Sequence, residues 1–201
     1  MSVIERLLRR DVDGGVDAGV GGGVGGLVVE PMKRRDLRRG VMAIEAVSYP
    51  KPWSQGVFES ELAQVRSGAR QYLVACRAEG RGRTRVVGYA GLWFNVDEAH
   101  ITNVAVHPDE QRAGVATALL LLLADVAIER GCAAWTLEVR VSSVGAQELY
   151  RRFGFNPAGV RARYYENIED AIVMWCNDIQ SDEYRTLLDG IRADVEHRRP
   201  S

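Results

Sequence analysis

Cysteine is scarce: Cys76, Cys132 and Cys176 are the only three in 201 residues. An odd set of widely separated thiols lacks the paired spacing of a zinc site or a disulfide framework, and a reducing cytoplasm suits it. Cys132 and Cys176 stand in apolar runs, where cysteine behaves as a small buried hydrophobe, not as a nucleophile. Charge of one sign is missing too. The 26 basic and 27 acidic side chains leave a formal net charge of −1, which argues against direct nucleic-acid binding, because phosphate attraction needs clustered Lys and Arg. The basic stretch Lys33-Arg34-Arg35 with Arg38-Arg39 is short, broken by Asp36, and reads as a solvated helix face. No apolar run reaches the ~18 residues that span a bilayer. Met1 to Asp11 lack the apolar core and small-residue cleavage site of an export signal. The expectation is a cytoplasmic protein with no membrane partner.

What is present divides the chain in three. Residues 1–26 hold the glycine-rich run Gly14 to Gly26, whose backbone entropy opposes stable structure, so they read as a flexible leader. No Gly-Lys-Ser/Thr follows these glycines, which weakens a phosphate-loop reading. Residues 27–176 carry the periodic segments of one domain, and 177–201 form a polar C-terminal extension, a helix or a loose tail. Within the domain, Leu27 to Met32 reads as a short strand and Arg35 to Val47 as a helix with Leu37, Val41, Ile44 and Val47 at helical spacing. Ser54 is placed to cap a helix over Gln55 to Gln64. Gln71 to Arg77 and Arg85 to Phe94 make a hairpin. Then come strand Ala99 to Val106, helix Ala113 to Arg130 ended by Gly131, strand Ala134 to Arg140, and helix Ser143 to Phe153 stopped by Gly154. Strands near Val160 to Tyr165 and Ala171 to Cys176 close the domain. The order implies an α/β (α+β) fold with a mixed sheet of six or seven strands. The strand-helix-strand unit from Ala99 to Arg140 makes two parallel neighbours, with ligands expected at their carboxyl ends.

The densest chemical signal is Val104-Ala105-Val106-His107-Pro108 followed by Gln111-Arg112-Ala113-Gly114-Val115-Ala116-Thr117. The first N–H groups of a helix have no partner within it, and the helix dipole makes that end attractive to a pyrophosphate. Gly114 and Ala116 keep the backbone approachable, while Arg112 and Thr117 add donors. In Trp135-Thr136-Leu137-Glu138-Val139-Arg140, Trp135, Leu137 and Val139 share one face and Glu138 lies on the other. Spacing alone favours a salt bridge from Glu138 to Arg140, or a solvated sheet face. Tyr150 alone reads as an amphipathic-helix tyrosine, and His100 as a satisfied strand histidine.

Val-Ala-Val-x-Pro with Gln-Arg-x-Gly-x-Ala resembles motif A, the acetyl-CoA signature of the GNAT superfamily of N-acetyltransferases, and the resemblance runs over residues 28 to 176. It implies the GNAT fold, with a splayed parallel pair and helices on both faces, and acetyl-CoA as cosubstrate with no metal. It also implies that Val104, Ala105 and Val106 offer backbone groups to the pantetheine arm. Residues 112–117 hold the pyrophosphate, with Tyr150 and Ser143 at the cofactor as well. Leu137-Glu138-Val139-Arg140 is similar to the signature of RimI-type enzymes, which acetylate protein N termini and in which this Glu is the general base. Ala146-x-x-Leu149-Tyr150-x-x-x-Gly154-Phe155 is similar to the family segment whose Tyr is the general acid. Ala99-His100-Ile101-Thr102-Asn103 is similar to segments where a histidine assists deprotonation. Ser143 stands where the family usually carries Asn, and it reaches less far.

Tyr49-Pro50-Lys51-Pro52-Trp53-Ser54 resembles the loop forming one wall of the RimI-type peptide groove, and Tyr164-Tyr165 resembles the other wall. The implied partner is a protein or peptide N terminus, with alanine first, on a small ribosomal-subunit protein. Two other readings stay open: a GNAT enzyme for a small amine or lysine, and a non-catalytic acyl-CoA-binding module.

Overall fold

Several strands of this chain are apolar on both faces, which forces helices onto both sides of the sheet. The computed structural model describes residues 26–80 and 82–197. Strands β1 (Leu27–Pro31), β2 (Arg70–Ala78), β3 (Thr84–Asn95), β4 (Glu98–Val106), β5 (Ala134–Arg140), β6 (Asn156–Tyr165) and β7 (Glu169–Cys176) form one sheet in the order β1-β2-β3-β4-β5-β7-β6. Only β4 and β5 pair in parallel.

Helices α1 (Arg34–Asp36) and α2 (Met42–Ser48) are joined by a π-helical turn, Leu37–Val41, and are followed by α3 (Gln55–Ala63), α4 (Val115–Glu129), α5 (Val144–Arg152) and α6 (Asp182–His197). On β2, Leu73 and Ala75 enter one core with Leu119, Leu123, Phe153 and Leu188 from the α4, α5 and α6 side. Tyr72, Val74 and Cys76 enter a second core with Leu37, Val41, Ile44 and Phe58. Seven strands between two helical layers agree with the expected architecture, and all three cysteines are buried and free.

Several boundaries moved. The helix expected over 35–47 is interrupted by the π turn at Gly40, where a Cβ would sit 2.8 Å from Val86 Cβ. The chain widens there to lie against β3. The helix expected from Ala113 starts at Val115, and β6 starts at Asn156 rather than near Val160. The 177–201 segment supplies α6, whose Tyr184, Leu188 and Ile191 are buried in the same core as the domain. Of the leader expected over 1–26, residues 1–25 lie outside the described residues. Among those described, no helix is long and apolar enough to cross a membrane.

Because Leu188 is fully enclosed, Leu188→Ala should lower the unfolding free energy by about 2–5 kcal/mol in a urea titration; a change under ~0.5 kcal/mol would show that α6 is an ornament on the surface.

Candidate active site

The site begins with a failure of strand pairing. β4 and β5 pair only through Glu98↔Ala134, Ala99↔Trp135 and His100↔Thr136. Beyond that point β4 follows β3 with Thr102 as an extra residue, the register passing from Leu92↔Ile101 to Gly91↔Asn103. β5 continues with β7 alone. Gly91 makes the bulge possible. A Cβ there would overlap the Tyr72 ring and lie 2.7 Å from Thr102 Oγ1, whereas the bare glycine lets the Tyr72 hydroxyl reach Thr102 at 3.2 Å and donate to Glu61 at 2.8 Å. The two strands separate around a cavity of about 260 Å³, with Tyr49 and Trp53 in one wall, Tyr164 and Tyr165 in the other, and His100 and Glu138 among its lining.

Glu138 points into this gap with its side chain 7% exposed. Its Oε2 lies 3.1 Å from His100 Nε2 and its Oε1 lies 3.0 Å from Arg161 Nη1. The hydrogen bond to His100 holds the Glu138 carboxyl below the ordinary carboxylate range, with the charges of His100 and Arg161 adding to it, and burial opposes both. The salt bridge from Glu138 to Arg140 that spacing suggested does not form. Arg140 instead engages Glu166 at 2.7 Å and Glu169 at 2.9 Å, and its guanidinium lies 4.1 Å from the Tyr165 ring centre. The Tyr165 hydroxyl donates to the Glu138 carbonyl at 2.9 Å, fastening the β6–β7 hairpin to β5. Tyr150 is buried with its ring edge-on to Phe155. Burial, then the nearby Tyr165, pushes the Tyr150 phenol well above its usual range, so it stays protonated at neutral pH.

The opposite wall is pinned by a residue that sequence reading passed over. Glu45, 2% exposed, accepts the Trp53 N–H at 2.7 Å and the Tyr89 hydroxyl. Its helical position one turn past Val41 put it on the buried face, a signal available in the spacing. The Tyr49 hydroxyl donates to the Val104 carbonyl at 2.9 Å, so one backbone acceptor of the splayed strand already carries a partner. Trp53 both lines the cleft and packs on Phe58, ring centres 5.4 Å apart.

At the end of β4 the chain runs through a 3₁₀ turn, Pro108–Glu110, to α4. Arg112 (φ 64°) and Gly114 (φ 81°) are both left-handed, a change of backbone hand that turns N–H groups toward a common concavity. After Gln111, the next described N–H to find a main-chain acceptor is that of Ala118, on the Gly114 carbonyl at 3.0 Å. Among the described residues, the N–H groups of 112–117, Ala113 and Ala116 included, have no main-chain partner. Val115 and Thr117 are buried. Ser143 occupies the N-cap of α5 without a side-chain cap bond.

The model of the acetyltransferase (GNAT) family matches residues 38–155. The chain belongs to the GNAT acetyltransferase family. A protein named as a putative ribosomal protein bS18-alanine N-acetyltransferase in Bacillus subtilis is 36% identical over 148 residues, 73% of this chain and 93% of the relative. The ribosomal protein bS18-alanine N-acetyltransferase of Escherichia coli K12 is 37% identical over 134 residues, 65% of this chain and 84% of that one. The crystal structure of the Escherichia coli ribosomal-protein-S18-alanine N-acetyltransferase aligns with a TM-score of 0.66 at 32% identity, covering 78% of this chain and 97% of that one. Ard1 from Thermoplasma volcanium shares the fold, with a TM-score of 0.67 at 22% identity over 76% and 97% of the two chains. As a GNAT acetyltransferase the enzyme uses acetyl-CoA, and the unspent N–H groups before α4 fit a pyrophosphate.

The Arg140 cluster gives a pH test. The Glu169 carboxyl accepts the Ser142 N–H at 2.9 Å; the Ser142 side chain first, then that N–H and Arg140, lower its pKa from 4.5 to about 2. A depressed folded pKa contributes stability above the ordinary value, lost as pH falls through the folded one. Carboxyl NMR should therefore place the Glu169 midpoint near 2, and Glu169→Gln should flatten the acid loss of stability between pH 4.5 and 2. A midpoint near the ordinary value would contradict the clamp.

Proposed function

We propose that this enzyme transfers acetyl from acetyl-CoA to the N-terminal α-amine of a protein, with the N-terminal alanine of ribosomal protein bS18 as acceptor, which places its work in the cytoplasm. The observation that carries the reading is the meeting of Glu138 and His100 at 3.1 Å in the gap between the splayed strands. That gap is walled on both sides by aromatic residues. The relatives named for this activity support the choice of acceptor.

Acetyl-CoA supplies an acetyl group activated as a thioester. The acceptor attacks only through a free lone pair, so its ammonium must first lose a proton. An α-amine has a pKa near ~8 and lysine near ~10.4, so freeing a lysine at neutral pH costs about 3 kcal/mol more. A single carboxylate base with a depressed pKa suits the easier acceptor. Glu138 takes the proton through a water, and His100, 3.1 Å from it, assists. Tyr150, kept protonated by burial, returns a proton to the departing thiolate. The backbone N–H groups of residues 112–117 hold the pyrophosphate, Arg112 adds a charge, Val104 to Val106 flank the pantetheine arm, and Ser143 stands beside it. Tyr49, Trp53, Tyr164 and Tyr165 form the peptide walls, through which an extended N terminus reaches Glu138.

Glu138→Gln should cut kcat by about 10²- to 10⁴-fold, the usual range for a lost general base, with acetyl-CoA still bound in calorimetry. Unchanged turnover would remove Glu138 from that role. Offered acetyl-CoA with a peptide panel, the enzyme should acetylate alanine-initiated peptides with free N termini. Acetylation of N-blocked, lysine-bearing controls would instead assign it to side-chain amines.

A further inference from the structure

Both oxygens of Glu138 have cationic partners, one His100 at 3.1 Å and the other Arg161 at 3.0 Å. The two partners differ in how firmly they are held. His100 is 22% exposed, belongs to the paired end of β4, and sets its ring edge-on to Trp93 at 6.1 Å. Arg161 is 56% exposed and is the last residue of its stretch of β6 in register with β7. Pairing stops after Arg161↔Ala171 and resumes only at Tyr165↔Glu169, with Arg163 between them in the left-handed region at φ 50°. The Arg161 guanidinium also lies 5.4 Å from the Tyr164 ring centre, a second seat within reach if it leaves the carboxylate.

We propose that Arg161 is a placeholder cation: it occupies the Glu138 oxygen to which the acceptor ammonium must come, and the incoming α-ammonium displaces it onto the Tyr164 side. The exchange rests on the reading of Glu138 as the base. It swaps one cation for another, so the carboxylate is never left with His100 alone, and losing a pair whose cation is exposed costs little compared with uncovering a buried charge. The other charges around Glu138 do not take this role. Arg140 on the same strand is engaged by Glu166 and Glu169, Tyr165 from β6 meets the Glu138 backbone carbonyl, and Glu45 and Tyr49 in the far wall are committed to Trp53, Tyr89 and Val104. Lys51 lines the cleft with Tyr49 and Trp53 and is not among the cations paired with Glu138. An N-blocked chain has no cation to offer and cannot make the exchange, so Arg161 also sharpens selection for free N termini.

The test compares the full chain with Arg161→Ala and Arg161→Lys, using an alanine-initiated peptide with a free α-amine. Removing a competing exposed ion pair should lower the peptide KM of Arg161→Ala by about threefold to fivefold, without a matching shift in the KM for acetyl-CoA. It should also move the acid limb of kcat/KM to higher pH, because a cation that lowers the Glu138 pKa is gone. Arg161→Lys should return both toward the parent. An unchanged or higher peptide KM in Arg161→Ala would overturn the proposal. Calorimetry of the same peptide with CoA in place of acetyl-CoA reads displacement without turnover. Tighter binding by Arg161→Ala there supports the exchange even if Glu138→Gln remains active and the base assignment fails, and equal or weaker binding rejects it.

Discussion

Everything in this enzyme depends on two parallel strands that stop hydrogen-bonding after three residues. Backbone donors and acceptors in the middle of a sheet must find partners, and a sheet that opens there has to satisfy them from elsewhere. The protein meets part of the need itself, with the Tyr49 hydroxyl on the Val104 carbonyl and the Gln111 amide on Val106 at 3.4 Å. A bulge at Thr102, made possible by the missing side chain of Gly91, turns β4 away from β5 and keeps it away.

The chemistry follows from where that opening lies. His100 is the last residue of β4 in register with β5, and Glu138 sits two residues past the end of the pairing on β5. The side chains therefore converge across the apex of the gap, one from each strand. Around them, two clamps of different chemistry fix the walls. The buried Glu45 carboxylate ties the Trp53 loop to β3 through neutral donors, while Arg140 ties the β6–β7 hairpin to the end of β5 through Glu166, Glu169 and the Tyr165 ring. Side chains held at both ends lose less freedom when a peptide arrives, which favours binding that is already organised.

Much of this was legible in the sequence, because the residues concerned are local. The strand, turn and helix from Val104 to Thr117 announce themselves by small residues at a helix start, and the alternation of Trp135, Leu137 and Val139 fixes which face Glu138 takes. Long-range pairing was not legible. Two residues of opposite charge on the same strand face, Glu138 and Arg140, invite a bridge, but the partners that win come from β4, β6 and the β6–β7 turn, elements whose register only folding sets. The π turn at Gly40 and the late start of α4 escaped for a related reason: helical spacing is insensitive to one extra residue or to a two-residue left-handed lead-in. Polar composition left the C-terminal segment open between a helix and a loose tail, since the buried Tyr184, Leu188 and Ile191 of α6 are diluted by the charged residues between them.

The central claim is that the opened strand and the bare turn before α4 receive the cofactor through the main chain. Amide hydrogen exchange with and without acetyl-CoA reads this directly. Exchange should slow on binding at residues 104–106 and 112–117. Saturable binding that left both segments exchanging at their free rates would contradict it.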